Sequence, residues 1–594
     1  MNEVAPISKK MYKWLVKAMK RILPRSAYVG FRDRIRPSRM AWTMITPGAV
    51  CPVVTSEQAV RRDLPVWVPP DLRLSVDQVD LTAQGLIMSG RSSSSYRDVG
   101  ICLLGQVHKI CVPVVWAEEH RWRVVVPLGV DLWGDGWRPL PSGKYALGGV
   151  VLGVPEARTT VMDATRTVVF QRSAEHLLPM VTESDSCHAS IGLSARHRGI
   201  LEVKAPLPAE KRDARSPRDW QQDIPLLGQG GLDDRTILLR SYYGEVANCN
   251  PLGVHHAIAR DGVDLRVVWG VKDHSVGIPE GGVPVLIGSR EWYETLATAK
   301  YSVWNVHQPD WYRKNPGQVM VQTFHGYPFK LAGMPYWPGA GFSQLRIQSF
   351  LERHTQWDYL VSPAPYATPL LERCFPGAQE ILEIGYPRND IFFDPSRDQV
   401  RSRTRSVLGI PDETMVVLYA PTYRDWLSDN ETKARVSELL SPNRLASMLG
   451  PAYTVLMRGH PMEGRGGESR DSGAQVIDVT SYPRVEELCL ASDIGVFDYS
   501  SLRFDYALTG NPMVFFVPDL DRYMNQERGS LIPYEGTAPG PQCRTIEELV
   551  SALRDGRGLG EEYRGQWTQF IHDFLPLEDG HAGSRLVRTL LEHE

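Results

Sequence analysis

The sequence predicts a multidomain protein: two Rossmann-like α/β domains whose parallel sheets face one cleft, preceded by an all-β domain and a basic N-terminal region. Three observations lead there. The 594 residues are too many for one hydrophobic core. From about residue 52 to 205, short β segments follow one another with no helix-length period between them. After residue 235 strands alternate with helices, and the alternation occurs in two successive sets.

The first element is residues 1–50, with eleven Lys or Arg against two acids, a local net charge of +9 in a chain whose overall formal charge is -3. Drawn as a helix, "SKKMYKWLVKAMKRIL" puts Met11, Leu15, Ala18, Met19 and Ile22 on one face and Lys10, Lys13, Lys17 and Lys20 on the other, with Trp14 near the boundary. A basic amphipathic helix of this kind lies on an anionic membrane surface, each cation contributing about 1 kcal/mol. The plainer reading is a helix docked on the protein's own core. Nucleic acid is disfavoured as a partner, because the rest of the chain carries no basic stripe with interleaved aromatics. No run approaches the roughly 20 apolar residues of a spanning helix, and no signal peptide is evident. The eight cysteines are scattered, without metal-site spacing, and read as reduced thiols.

Residues 52–205 contain "GLIMSGRS", "VGICLLGQV", "RWRVVVPLG" and "YALGGVVLGV", the signature of a β-sandwich. A polar linker is expected over 206–234. The first α/β domain is expected at 235–395, from "RTILLRSYYG" to "ILEIGYP", and the second at 396–594, with strands "MVVLYAPTY", "YTVLMRGHP", "AQVIDVT", "SDIGVFDYSS" and "NPMVFFVP". Ligands of such sheets bind beyond the carboxyl ends of the strands.

The polar residues at those ends form a consistent set. His325 closes "VMVQTFHG"; Arg388, Asn389 and Asp390 follow "IGYP"; Thr422 and Arg424 follow "VVLYAP"; Arg458 and His460 close "YTVLM"; Asp498, Ser500 and Ser501 close "IGVF" before a helix. Arginines, hydroxyls and a helix start together suit phosphate, and a diphosphate is the natural ligand. Singly, each has a plain structural reading: Ser500 as a helix cap, Asp498 or Arg388 in an ion pair. Their convergence on five strand ends is what favours a site. The "DLD" at 519–521 sits in an ordinary polar loop, so no metal is expected, and no glycine-rich dinucleotide or P-loop motif occurs.

Over about residues 235–560 the motifs "AKYSVWN", "QTFHGYPFK", "GYPRND", "YAPTYRD", "RGHP" and "DYSSLRFDYALTGNPMVFF" resemble the CDP-glycerol glycerophosphotransferase family, the bacterial teichoic acid polymerases and primases. The resemblance implies a GT-B fold, a CDP-alditol donor, a lipid-linked polyol-phosphate or glycan acceptor, release of CMP, and peripheral attachment to the cytoplasmic face of the cell membrane. It maps the two catalytic histidines onto His325 and His460, and nucleotide and phosphate contacts onto Ser500 and Ser501. Phe324 and Tyr327 stand where the family usually has Trp and Thr, which points to Tyr327 as a selectivity residue and leaves ribitol phosphate open beside glycerol phosphate. The β-domain is outside the family's shared core.

In the implied reaction an acceptor hydroxyl attacks the phosphorus bearing the alditol while CMP departs in line, with no cofactor required. His325 is then the base, and His460, Arg458, Ser500 and Ser501 hold the diphosphate. Two other readings stay open: a GT-B glycosyltransferase using a nucleotide sugar, and a non-catalytic membrane-associated protein that binds wall polymer. A homo-oligomer is compatible with either.

Overall fold

The computed structural model describes residues 44–45, 49–53, 62–105, 109–153, 162–206, 217–422, 428–430, 433–434, 440–459 and 475–593. The expected basic helix, with Lys10, Lys13, Trp14, Lys17 and Lys20, lies outside them, as do Arg424 and His460.

The N-terminal part is all β, with two sheets around one core. The larger sheet runs in the order 180–183, 188–193, 199–204, 143–152, 62–67, 49–53, 109–113, 99–104, and the smaller in the order 168–170, 74–82, 85–92, 121–127, 115–118. Inward side chains of both sheets, among them Val76, Met88, Trp122, Ile101, Leu147 and Val203, share a single cluster. The larger sheet differs from an open sandwich layer, because strand 143–152 also pairs with 99–104 and closes five strands into a ring. Gly148 allows this crowding, since a Cβ there would meet Ala164 and Leu104 at 2.8 Å. Cys102 and Cys111 are direct partners in the antiparallel register and form a disulfide, which corrects the expectation of eight free thiols. Spacing along the chain could not show it, because the pairing is set by the hairpin register.

The segment expected as a linker, 206–234, carries helix α1 (Pro217–Leu227), which buries Trp220 and Ile224 against Trp292 and Tyr293. Its polar sequence hid two well-spaced apolar anchors. The first parallel sheet comes next: β1 (Asp233–Arg240), β2 (Arg266–Val271), β3 (Gly282–Leu286), β4 (Ala299–Trp304), β5 (Val319–Gln322), β6 (Tyr359–Ser362) and β7 (Glu380–Glu383), in the order β3-β2-β1-β4-β5-β6-β7. The second comprises β8 (Met415–Tyr419), β9 (Tyr453–Met457), β10 (Gln475–Asp478), β11 (Ile494–Phe497), β12 (Met513–Phe516) and β13 (Gln542–Cys543), in the order β10-β9-β8-β11-β12-β13. Both share the doubly wound order 3-2-1-4-5-6, so each has a crevice at the carboxyl ends beside its first strand. Strands such as β8, β11 and β12 are continuous apolar runs because both faces are covered.

Two features tie the parts together. The last helix, α2 (Ala582–Glu592), was expected with the second domain but returns to the first, where Leu586, Val587 and Leu590 pack on Val254 and Ala257. Its apolar stripe matches that face. A hairpin of the β-domain, 129–139, reaches the second domain: Trp133 packs edge-on against Tyr482 at 5.1 Å, and Asp135 accepts from Arg403 and Arg484, each at 3.0 Å. No helix among the described residues is long and apolar enough to cross a membrane.

Candidate active site

His325 lies three residues beyond β5, in the turn that follows its carboxyl end. Phe324, just before it, is in the left-handed region at φ 48°, where a bulky side chain is strained. The strain aims the next side chain. The imidazole Nδ1 donates to the Asn305 carbonyl at 2.7 Å, which requires the proton on Nδ1 and leaves Nε2 as an open acceptor in the neutral ring. His325 is exposed to solvent, yet protein surrounds it closely enough that burial, and then Arg388, hold its pKa below the usual imidazole value. It is therefore an unprotonated base at neutral pH.

Strained residues gather here. Of the five non-glycine residues with positive φ among the described residues, Tyr242 (φ 42°), Tyr243 (φ 61°), Cys249 (φ 60°) and Phe324 lie in the chain just past β1 or β5. Such strain persists only where the surrounding structure imposes it, and it clusters at functional sites. The Tyr242 ring is 5.1 Å from that of His325, and burial raises its hydroxyl pKa well above the ordinary value. Sequence reasoning did not single out Tyr242 or Asn305, although Asn305 closes the motif "AKYSVWN" and Tyr242 stands in "RTILLRSYYG": the contacts that give them a role are set by folding.

From the second domain, Ser501 comes directly against the His325 turn: a Cβ built on Gly326 would stand 2.8 Å from its Oγ. Glycine is needed there for close approach. Ser500 accepts the Leu502 N–H at 3.4 Å, one residue before the cap position that Ser501 occupies. Arg458 follows β9 and donates from Nη1 to the Val479 and Tyr482 carbonyls, at 3.2 and 2.9 Å. It makes no ion pair among the described residues, and burial, the largest influence on its pKa, lowers it. A half-buried guanidinium without a carboxylate partner is suited to an anionic ligand. Lys330, at the end of "QTFHGYPFK", donates to the Thr422 hydroxyl at 3.3 Å and adds a cation that the strand-end reading overlooked.

Several expected donor contacts prove to be engaged in holding the two halves together. Arg388 is buried and donates from Nε and Nη2 to Asp505 Oδ1 at 3.0 and 2.8 Å, an ion pair across the two domains. Asn389 donates to Glu578 at 3.0 Å, and Asp390 accepts the N–H groups of Ala582 and Gly583, each at 2.9 Å, which caps α2. Asp498 accepts the Thr422 N–H and so fixes the loop after β8; a buried carboxylate would repel a phosphate in any case. Tyr327 is 4% exposed and stacks on Phe504 with centroids 4.0 Å apart, inside the second domain's core. The ring expected at a selectivity position is thus packed against Phe504 rather than exposed, because the turn at Gly326 carries it into this core.

The model for the family CDP-glycerol:poly(glycerophosphate) glycerophosphotransferase matches residues 226–592. The chain belongs to that family. It is 30% identical over 366 residues to the teichoic acid poly(glycerol phosphate) polymerase of Bacillus subtilis (strain 168), a match covering 61% of this chain and 49% of the relative. It is 31% identical over 363 residues to the teichoic acid glycerol-phosphate transferase of Staphylococcus aureus (strain NCTC 8325 / PS 47), covering 60% of this chain and 92% of that one. The solved wall teichoic acid polymerase TagF superposes with a TM-score of 0.59 at 26% identity, over 64% of this chain and 95% of that chain. The chain thus spans about half the length of the B. subtilis polymerase. The match begins at residue 226, so the all-β part lies outside it.

Proposed function

We propose that this protein transfers glycerol phosphate from CDP-glycerol to a hydroxyl of a lipid-linked or growing teichoic-acid-type polymer, with release of CMP, in a GT-B arrangement of its two Rossmann-like domains. The observation that carries the reading is His325: a neutral, solvent-reached imidazole with Nδ1 tied to the Asn305 carbonyl, set against Ser501 of the facing domain. The acceptor oxygen attacks the phosphorus bearing glycerol, its proton goes to Nε2 of His325, and the bond from that phosphorus to the CMP oxygen breaks. Arg458 and the hydroxyls of Ser500 and Ser501 stabilise the charge passing to CMP, together with His460 and Arg424 as the resemblance assigns them. TagF was solved after a soak with CDPG, which supports a CDP-activated donor for this family member as well.

The test is CMP release with CDP-glycerol, CDP-ribitol and a UDP-sugar, each with a lipid-linked acceptor. CMP from CDP-glycerol is expected. Turnover of the UDP-sugar alone, or polymer binding without any turnover, would refute the proposal. Ribitol phosphate remains the second donor to compare. We further infer peripheral membrane attachment from the +9 charge of residues 1–50. Salt-sensitive binding to anionic vesicles should disappear when Lys10, Lys13, Lys17 and Lys20 become Glu; binding indifferent to both would count against it.

A further inference from the structure

Arg240 is the last residue of β1, at the point where the sheet order reverses between β2 and β4. It is 5% exposed, and its Nε and Nη1 have no hydrogen-bond partner among the described residues. The other four buried arginines among the described residues are all satisfied. Arg388 pairs with Asp505, Arg405 with Asp493, and Arg353 with Asp310, while Arg503 donates to the carbonyls of Asp498, Ser500 and Thr537. Among the described residues Arg240 meets ring faces instead: its Cζ lies 5.0 Å from the Trp304 centroid and 5.7 Å from those of Trp292 and Tyr243. Aromatic faces recover part of a guanidinium's hydration and none of its hydrogen bonds. A buried cation left in that state is suited to an anion that arrives with the ligand.

The position is tied to the reaction centre through one residue, mostly by its main chain. Asn305 donates its N–H to the Arg240 carbonyl at 3.4 Å, accepts the Tyr242 N–H on Oδ1 at 2.8 Å, and accepts from His325 Nδ1 on its own carbonyl. Tyr243 stands over Arg240, strained at φ 61° and 60% exposed, as a rim residue open to solvent. The donor diphosphate is assigned to Arg458, Ser500 and Ser501 of the facing domain, whereas Arg240 belongs to the same domain as His325.

Resting on the glycerol-phosphate transfer proposed above, we propose that Arg240 forms an acceptor subsite, in which its guanidinium hydrogen-bonds the phosphate next to the attacking hydroxyl of a polyol-phosphate acceptor. Such an acceptor carries an anion one unit from its terminal hydroxyl, whereas a plain polyol does not. The enzyme would thereby favour a chain already bearing a phosphate unit.

The experiment compares wild type, Arg240→Gln and Arg240→Lys, assayed for CMP release with a short glycerol-phosphate oligomer and with glycerol as acceptors. Arg240→Gln should raise KM for the oligomer at least tenfold while leaving KM for CDP-glycerol and the rate with glycerol within twofold, and Lys should restore part of the loss. Equal losses with both acceptors, or an unchanged KM for the oligomer, would overturn the subsite. Should Arg240→Gln fail to fold, wild type decides. Glycerol 3-phosphate should bind it in the presence of saturating CDP and compete with the oligomer; no binding, or competition with CDP-glycerol instead, refutes the assignment. Failure of the transfer reading looks different: no CMP forms from any CDP-alditol, yet glycerol 3-phosphate binding to wild type and its loss in Arg240→Gln still decide the role of Arg240.

Discussion

Replacing His325 with alanine is expected to remove most of the turnover and little else. The ring is exposed, its one hydrogen bond among the described residues is to the Asn305 carbonyl, and its packing is a tilted contact with Tyr242, so stability should change by less than about 1 kcal/mol. The facing domain is assigned the donor, so CDP affinity should also hold. Loss of a general base costs about 10²- to 10⁴-fold, or ~2.7–5.5 kcal/mol of transition-state stabilisation. The pH profile gives a sharper check. Because burial and Arg388 lower the His325 pKa, the acid limb of kcat/KM should fall below the ordinary imidazole value of 6.5, dropping about tenfold per pH unit beneath that point. The assay is steady-state CMP release from pH 5 to 8, with CDP binding by calorimetry and a thermal melt as controls. A variant that keeps more than a tenth of the wild-type rate, or that loses rate but retains the same acid limb, would refute the base assignment.

Three further outcomes concern the interdomain contacts. Asp505→Asn leaves the Arg388 charge buried without its partner and should cost about 3–5 kcal/mol in denaturant unfolding; a loss under 1 kcal/mol would show that the pair is dispensable. Burial pushes the Glu578 carboxyl up to about 8 from 4.5, so the folded state holds a proton that the unfolded state releases. Its stabilising contribution is complete below pH 4.5 and declines as pH rises towards 8, by on the order of 1 kcal/mol per unit; melts from pH 5 to 9 should show that slope in wild type and a flatter one in Glu578→Gln. Tyr327→Thr should destabilise by about 2–4 kcal/mol through the lost stack on Phe504, with the preference between CDP-glycerol and CDP-ribitol unchanged. A shifted preference would return Tyr327 to the substrate pocket.

The elements and the strand ends that carry the candidate residues were legible in the sequence alone. Continuous apolar runs such as "MVVLY" and "MVFF" can only be strands covered on both faces, and their alternation with helices requires parallel sheets, whose carboxyl ends carry His325, Arg458 and Ser501. These are local properties, fixed by periodicity and by the few residues just past each strand. Partnership was decided only in three dimensions. Arg388 meets Asp505 117 residues away, Tyr327 stacks on a ring from the other domain, Cys102 faces Cys111 through hairpin register, and the unpaired state of Arg240 is defined by the groups that fail to reach it. A polar residue at a strand end can bind a ligand or bind the protein, and its own neighbours in sequence are the same in both cases. The choice rests on which distant group folding brings within about 3 Å, where a hydrogen bond forms and the side chain is no longer available to a ligand.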